Sequence, residues 1–153
     1  MPQPTITPTA LQQRVGTVLG ESDWRAVSQE AINLFADATD DHQYIHVDAE
    51  KAAATPFGGT IAHGLLTLSL LPALAEGVMP RLAGQTMGVN YGFNKVRFVN
   101  PVPSNSRIKA SFLLADIQQR SDDSYLIRYE VTVLIEGQEK PALVADWLSL
   151  AVL

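Results

Sequence analysis

The chain has 153 residues, 46% of them hydrophobic and 18% charged, the size and composition of one domain with a single core. Folding at this length removes about two thirds of the unfolded chain's surface from water, and the absence of cysteine excludes disulfides, thiolate nucleophiles and cysteine-ligated metal centres. Eleven Lys and Arg against sixteen Asp and Glu leave a formal charge of −5, which argues against a nucleic-acid partner.

In chain order, Met1–Thr9 lacks both a basic start and an apolar stretch, so it does not read as a signal peptide, and the lack of cysteine fits a reducing cytoplasm. Pro8 to Val15 predict a short helix with Thr7 or Thr9 as its cap and Gly16 as its end. A strand is expected around Trp24–Val27. Ser28 then caps a helix whose apolar face is Ala31, Ile32, Leu34, Phe35 and Ala38, ending near Thr39. Residues 39–45, rich in Asp, His and Gln, have no apolar period and read as a loop. Asp48 caps a brief helical turn through Ala54.

Thr55 to Gly59 break the chain, and Ile61 to Ala75 follow as one helix with leucines around its whole circumference. Such a helix must be enclosed, and it is too short for a membrane span. Trp24 and Ser69 are assigned to packing. The second half supplies the enclosure as four runs of period-two alternation: 86–99, 106–119, 125–135 and 141–152. Tyr125, Ile127, Tyr129, Val131, Val133 and Ile135 face one way. Gly92 suggests a bulge in the first run. Consecutive strands joined by short turns are expected to pair as antiparallel neighbours around the helix. With no repeat or linker in view, residues 1–153 read as a single α+β domain.

The three histidines, His42, His46 and His63, lie within a short stretch of the chain. Their spacing is not that of a metal-binding helix and no cysteine supplements them, so no metal is expected. Asp41 and His46, five residues apart, suit acid–base work on one water molecule. A turn-capping aspartate and an internally satisfied histidine fit the same residues. Gly64 opens the apolar helix, where backbone N–H groups lack partners and a missing side chain admits a substrate oxygen. Close helix packing explains the glycine equally well. Lys95 and Arg97 suit either an anionic ligand or a solvated sheet face. No phosphate loop, dinucleotide fingerprint or nucleophile elbow occurs.

Residues Thr39-Asp40-Asp41-His42-Gln43-Tyr44-Ile45-His46, followed by Phe57-Gly58-Gly59-Thr60-Ile61-Ala62-His63-Gly64, resemble the MaoC-like (R)-specific enoyl-CoA hydratases in order and spacing. Within that family the wording is most similar to the nodulation-protein-N-like branch. The family motif runs Gly-Asp-x-Asn-Pro-(Leu/Ile)-His, so Asp40, Gln43 and Tyr44 stand at its Gly, Asn and Pro positions.

The resemblance implies a hot-dog fold, an antiparallel sheet wrapped around a long helix, and a homodimer. It implies that Asp41 and His46 are the catalytic pair and that the Gly64 N–H binds the substrate carbonyl. His63, Gln43, Lys95 and Arg97 become candidates for substrate binding. The implied substrate is an acyl-CoA thioester and the reaction is addition of water to a trans-2-enoyl group, giving an (R)-3-hydroxyacyl thioester. No separate cofactor is implied, because coenzyme A belongs to the substrate. Two other activities share the fold: an acyl-CoA thioesterase, and a non-catalytic subunit that binds acyl thioesters.

Overall fold

The computed structural model describes residues 3–153, so the first two residues of the Met1–Thr9 stretch lie outside it. The chain begins with β1 (Thr5–Ile6) and α1 (Pro8–Gln12). Thr7 caps α1, its hydroxyl accepting from the Ala10 N–H at 3.1 Å, and Pro8 loses nothing at a position where an N–H has no helical partner. The helix stops at Gln12, short of the expected Val15. Next come β2 (Val18–Glu21), β3 (Arg25–Val27) and α2 (Gln29–Thr39). Ser28 caps α2 by accepting from the Ala31 N–H. That helix buries Ile32 and Ala36 and half-buries Phe35, whereas Leu34 and Ala38 of the expected apolar face are exposed.

Two short helices follow, α3 (Tyr44–Val47) and α4 (Ala49–Ala53), the latter capped by Asp48 as its sequence suggests. In α3, Tyr44 and Ile45 were expected to be loop; one turn of helix is too short to show a period. The apolar segment also differs from expectation. It starts at Gly64, not Ile61, and forms two successive helices, α5 (Gly64–Ser69) and α6 (Leu71–Ala75). Pro72 has no N–H to bond back to Leu68, which accounts for the interruption beside it. Leu66, Leu71, Leu74 and Ala75 enter the core, while Leu65 is exposed and Ser69 is an exposed hydroxyl donating to the Leu65 carbonyl at 2.6 Å.

The rest of the chain is β4 (Arg81–Leu82), β5 (Met87–Phe98), β6 (Ser106–Ser121), β7 (Ser124–Ile135) and β8 (Leu143–Val152). A six-stranded antiparallel sheet runs β2-β6-β7-β8-β5, with β3 also pairing β6, while β1 and β4 form a small parallel pair. On β6, Ile108, Ala110, Phe112 and Leu114 point into the core; on β7, Ile127, Tyr129, Val131, Val133 and Ile135 do. These residues meet the α5–α6 leucines in one cluster, and each fully buried Val, Leu, Ile or Phe side chain among them is worth about 1.5–3 kcal/mol over exposure.

One expected pairing is absent. β5 does not form a hairpin with β6; it pairs with β8 at the far edge of the sheet, shifting register between Asn90 and Gly92 and between Phe93 and Lys95. The shift at Gly92 is the bulge its sequence suggests. Residues 99–105 therefore form a crossover and not a turn, and Pro101 and Pro103 suit an extended path. Ile61 bridges to Pro103 and the Ala62 N–H donates to the Val102 carbonyl at 2.8 Å. The crossover is thereby fixed against the start of α5. Trp24, expected in the core, is partly exposed with the Lys109 ammonium 5.1 Å from its ring centre, an attraction between cation and aromatic face.

Candidate active site

Asp40 ends α2 in the left-handed conformation, φ 57°, a geometry that Gly adopts most easily and Asp tolerates. The chain thereby reverses so that Asp41 and the short α3 face the start of α5. The Asp41 carboxylate accepts weakly from the Gln43 N–H at 3.4 Å, holding the loop in a side-chain-closed turn. His46, on α3, is buried, and its Nδ1–H donates to the Ile61 carbonyl at 2.7 Å. A carbonyl can only accept, so Nδ1 carries the proton and Nε2 keeps its lone pair. The Ile61 N–H donates back toward α3, to the Ile45 carbonyl.

His63 stands just ahead of α5 and is also buried. Its ring stacks on that of His46, centroids 3.8 Å apart and planes 24° from parallel, and its Nε2–H donates to the Asp41 backbone carbonyl at 3.0 Å. One donor atom from each of Asp41, His46 and His63 lies within 4.8 Å of the others. A metal could in principle draw on such a set. One nitrogen of each ring, His46 Nδ1 and His63 Nε2, is however already spent on a backbone carbonyl, and the two rings stack on one another. The arrangement suits proton transfer better.

Burial pushes the His46 pKa below its ordinary 6.5, and His63 acts in the same direction. The Ile61 carbonyl and Asp41 oppose that shift without cancelling it. His46 is therefore a neutral imidazole near pH 7, with an available base at Nε2.

These residues open onto a cavity of about 360 Å³ whose walls include Phe57, Ile61, Leu65, Phe98, Val102 and Leu143, with Asp41, His46 and Gly64 also lining it. Apolar walls with a few polar groups suit an acyl chain ending in a reactive head. Gly64 is tightly placed: a Cβ there would stand 2.8 Å from the Phe98 ring. Because α5 has only six residues, an individual backbone N–H, rather than an accumulated helix dipole, is what this end offers a substrate oxygen.

The other residues singled out from sequence fall elsewhere. Gln43 is exposed and engages Asp41 through its backbone N–H. Lys95 and Arg97 are exposed and lie opposite Asp146 and Val144 on β8, on the sheet face away from the core. Lys95 borders a shallow depression with Glu130, Thr132 and Asp146, so neither cation joins the Asp41–His46 cluster within this chain. His42 turns outward to pair with Asp37 at 2.8 Å.

Sequence reasoning missed Gln29. Its Nε2 donates to the His46 carbonyl at 2.7 Å and to Asn33, while its Oε1 accepts from the Thr60 hydroxyl at 2.6 Å. Phe98 and the 99–102 crossover were missed as cavity walls. No local motif marks these positions, since each acts through partners distant in sequence.

A model of the MaoC like domain matches residues 10–135. The chain belongs to the MaoC-like dehydratase family. Nodulation protein N of Rhizobium leguminosarum bv. viciae is 52% identical over 138 residues, 90% of this chain and 86% of that protein. The 3-hydroxyacyl-thioester dehydratase Z of Mycobacterium tuberculosis is 48% identical over 136 residues, 89% of each chain. Among solved structures, a monoamine oxidase regulatory protein from Archaeoglobus fulgius superposes with a TM-score of 0.82 at 28% identity, covering 99% of this chain and 97% of that one. The R-hydratase PhaJ1 from Pseudomonas aeruginosa gives 0.73 at 25% identity, covering 90% and 81%. These likenesses establish the hot-dog fold that the motif resemblance implies, with its helix in two pieces here.

Proposed function

We propose that this MaoC-like protein is an (R)-specific 2-enoyl-CoA hydratase, reversible as a 3-hydroxyacyl-thioester dehydratase. The observation that carries the reading is the neutral His46, its Nε2 unprotonated, beside Asp41 at the wall of an apolar cavity that also contains Gly64. The relatives named as a thioester dehydratase and an R-hydratase support it.

In this mechanism the thioester carbonyl accepts from the Gly64 N–H, which draws electrons from the conjugated C2–C3 double bond. Asp41 orients a water molecule and His46 Nε2 takes one of its protons as the oxygen bonds to C3. The π electrons move onto the thioester as an enolate, and protonated His46 returns the proton to C2 on the same face. One water is consumed, one C–O and one C–H bond form, and the site ends in its starting state. The thioester itself is the electron sink, and no further cofactor enters this scheme.

A homodimer is part of the proposal. β5 is an edge strand, paired on one side by β8 and exposing Met87, Val89, Tyr91 and Phe93, an edge that a second copy would cover. A cytoplasmic location belongs to the same reading; among the described residues no helix is long and apolar enough to cross a membrane.

The variants Asp41→Asn and His46→Gln test the catalytic assignment. Each is expected to lower kcat for crotonyl-CoA hydration by about 10²- to 10⁴-fold while the protein still binds crotonyl-CoA in a calorimetric titration. Wild-type turnover in both variants would end the assignment.

A further inference from the structure

The mechanism uses Asp41 and His46 but leaves His63 without a task. That residue is almost wholly buried, 3% exposed, in the wall of the reacting cavity. One face of its ring meets His46, and Phe35 of α2 packs against it with centroids 4.9 Å apart at a tilt of 55°. Its Nε2–H is spent on the Asp41 backbone carbonyl, and its Nδ1 is buried with no hydrogen-bond partner. His63 has its donor committed to protein and its ring packed on His46 and Phe35, which leaves a substrate only the partnerless Nδ1. It is well placed to hold two catalytic groups in register.

We propose that His63 is a positioning residue: packed against both Phe35 and His46, it fixes the plane of the His46 ring by stacking and the path of the Asp41 loop through the Asp41 carbonyl. Asp41 and His46 sit on separate short segments. Asp41 follows a left-handed residue and His46 lies on a helix of four residues, so neither segment is stiff enough alone to keep their spacing. The His63 side chain touches both, and misplacing reacting groups by about 1 Å is enough to cost about 100-fold in rate. The proposal deepens the acid–base reading and rests on it for its catalytic consequence, although the structural clamp does not depend on it.

Two variants separate the two contacts. His63→Phe keeps an aromatic ring and removes the donor; His63→Gln keeps a donor and removes the ring. Circular dichroism first identifies the folded variants. The ¹⁵N imidazole signals of His46 are then followed against pH without substrate, and kcat and KM are measured for crotonyl-CoA. The titratable groups facing His46 are Asp41 and His63, so losing the second imidazole is expected to move the His46 midpoint upward in His63→Phe.

Both variants are expected to displace the His46 signals and to lower kcat by about 10- to 100-fold, with KM within about threefold of wild type. His46 signals at their wild-type positions together with unchanged kcat in a folded variant would overturn the proposal. So would a rise in KM alone, the mark of a substrate contact. If the wild-type protein hydrates no enoyl thioester, the acid–base reading falls, while the substrate-free His46 signals still decide whether His63 holds that ring.

Discussion

The ring of Phe98 occupies the space in which a side chain at Gly64 would begin: its Cδ1 lies 2.8 Å from an ideal Cβ at that glycine. The first residue of α5 and the last of β5 are thus fitted to one another, and the cavity wall is continuous where a substrate carbonyl would approach. A methyl group at Gly64 must push the Phe98 ring away.

Gly64→Ala is expected to destabilise the protein by about 1–3 kcal/mol through overpacking, read as a lower urea midpoint at unchanged slope. Adding Phe98→Ala should recover much of that loss, because the two residues are in direct contact and their effects are not additive. Simple additivity in the double variant would show that Phe98 is not what forbids a side chain there.

Gln29 ties α2 to both the His46 carbonyl and the Thr60 hydroxyl. Gln29→Leu keeps the bulk and strips the amide, leaving both partners without their bond, at an expected cost of about 1–3 kcal/mol. Since the Thr60 carbonyl in turn receives the Ser104 N–H, the loosened segment reaches the crossover. A drop in thermal midpoint accompanied by lower hydration activity is expected; an unchanged midpoint would show that water replaces the amide at no loss.

The pH dependence follows from His46. Its pKa is depressed below 6.5 chiefly by burial, and the base must be unprotonated to accept a proton from water. Activity is therefore expected to hold from neutral pH down past 6.5 and to fall only as the pH drops through the depressed value. An acid limb with its midpoint above 6.5 would contradict a buried neutral His46 as the base. His46→Gln should abolish the limb along with most of the rate.

The caps at Ser28 and Asp48 and the alternation along Tyr125–Ile135 were legible in the sequence because each depends on neighbours a few residues away. The motif around Asp41 and His46 was legible for the same reason, and Asp40 at a Gly position of the motif proves to be a left-handed helix end. The partner of β5 was not legible. Pairing with β8 joins residues such as Met87 and Val152, and nothing local distinguishes that choice from a hairpin with β6. The leucine run misled at Leu65, which is apolar yet exposed, because composition reports what can be buried and not what is. Gln29 was invisible for a similar reason: the partners through which it reaches the site, His46 and Thr60, lie 17 and 31 residues away.

The most direct test of the central claim is the ultraviolet absorbance of the conjugated enoyl thioester when the purified protein is mixed with crotonyl-CoA, with the configuration of the product assigned afterwards. The acid–base site predicts loss of conjugation with (R)-3-hydroxybutyryl-CoA formed and no thiol released. Release of free coenzyme A with the double bond intact would contradict it in favour of a thioesterase, and no change with either short or longer enoyl chains would leave a protein that binds acyl thioesters without transforming them.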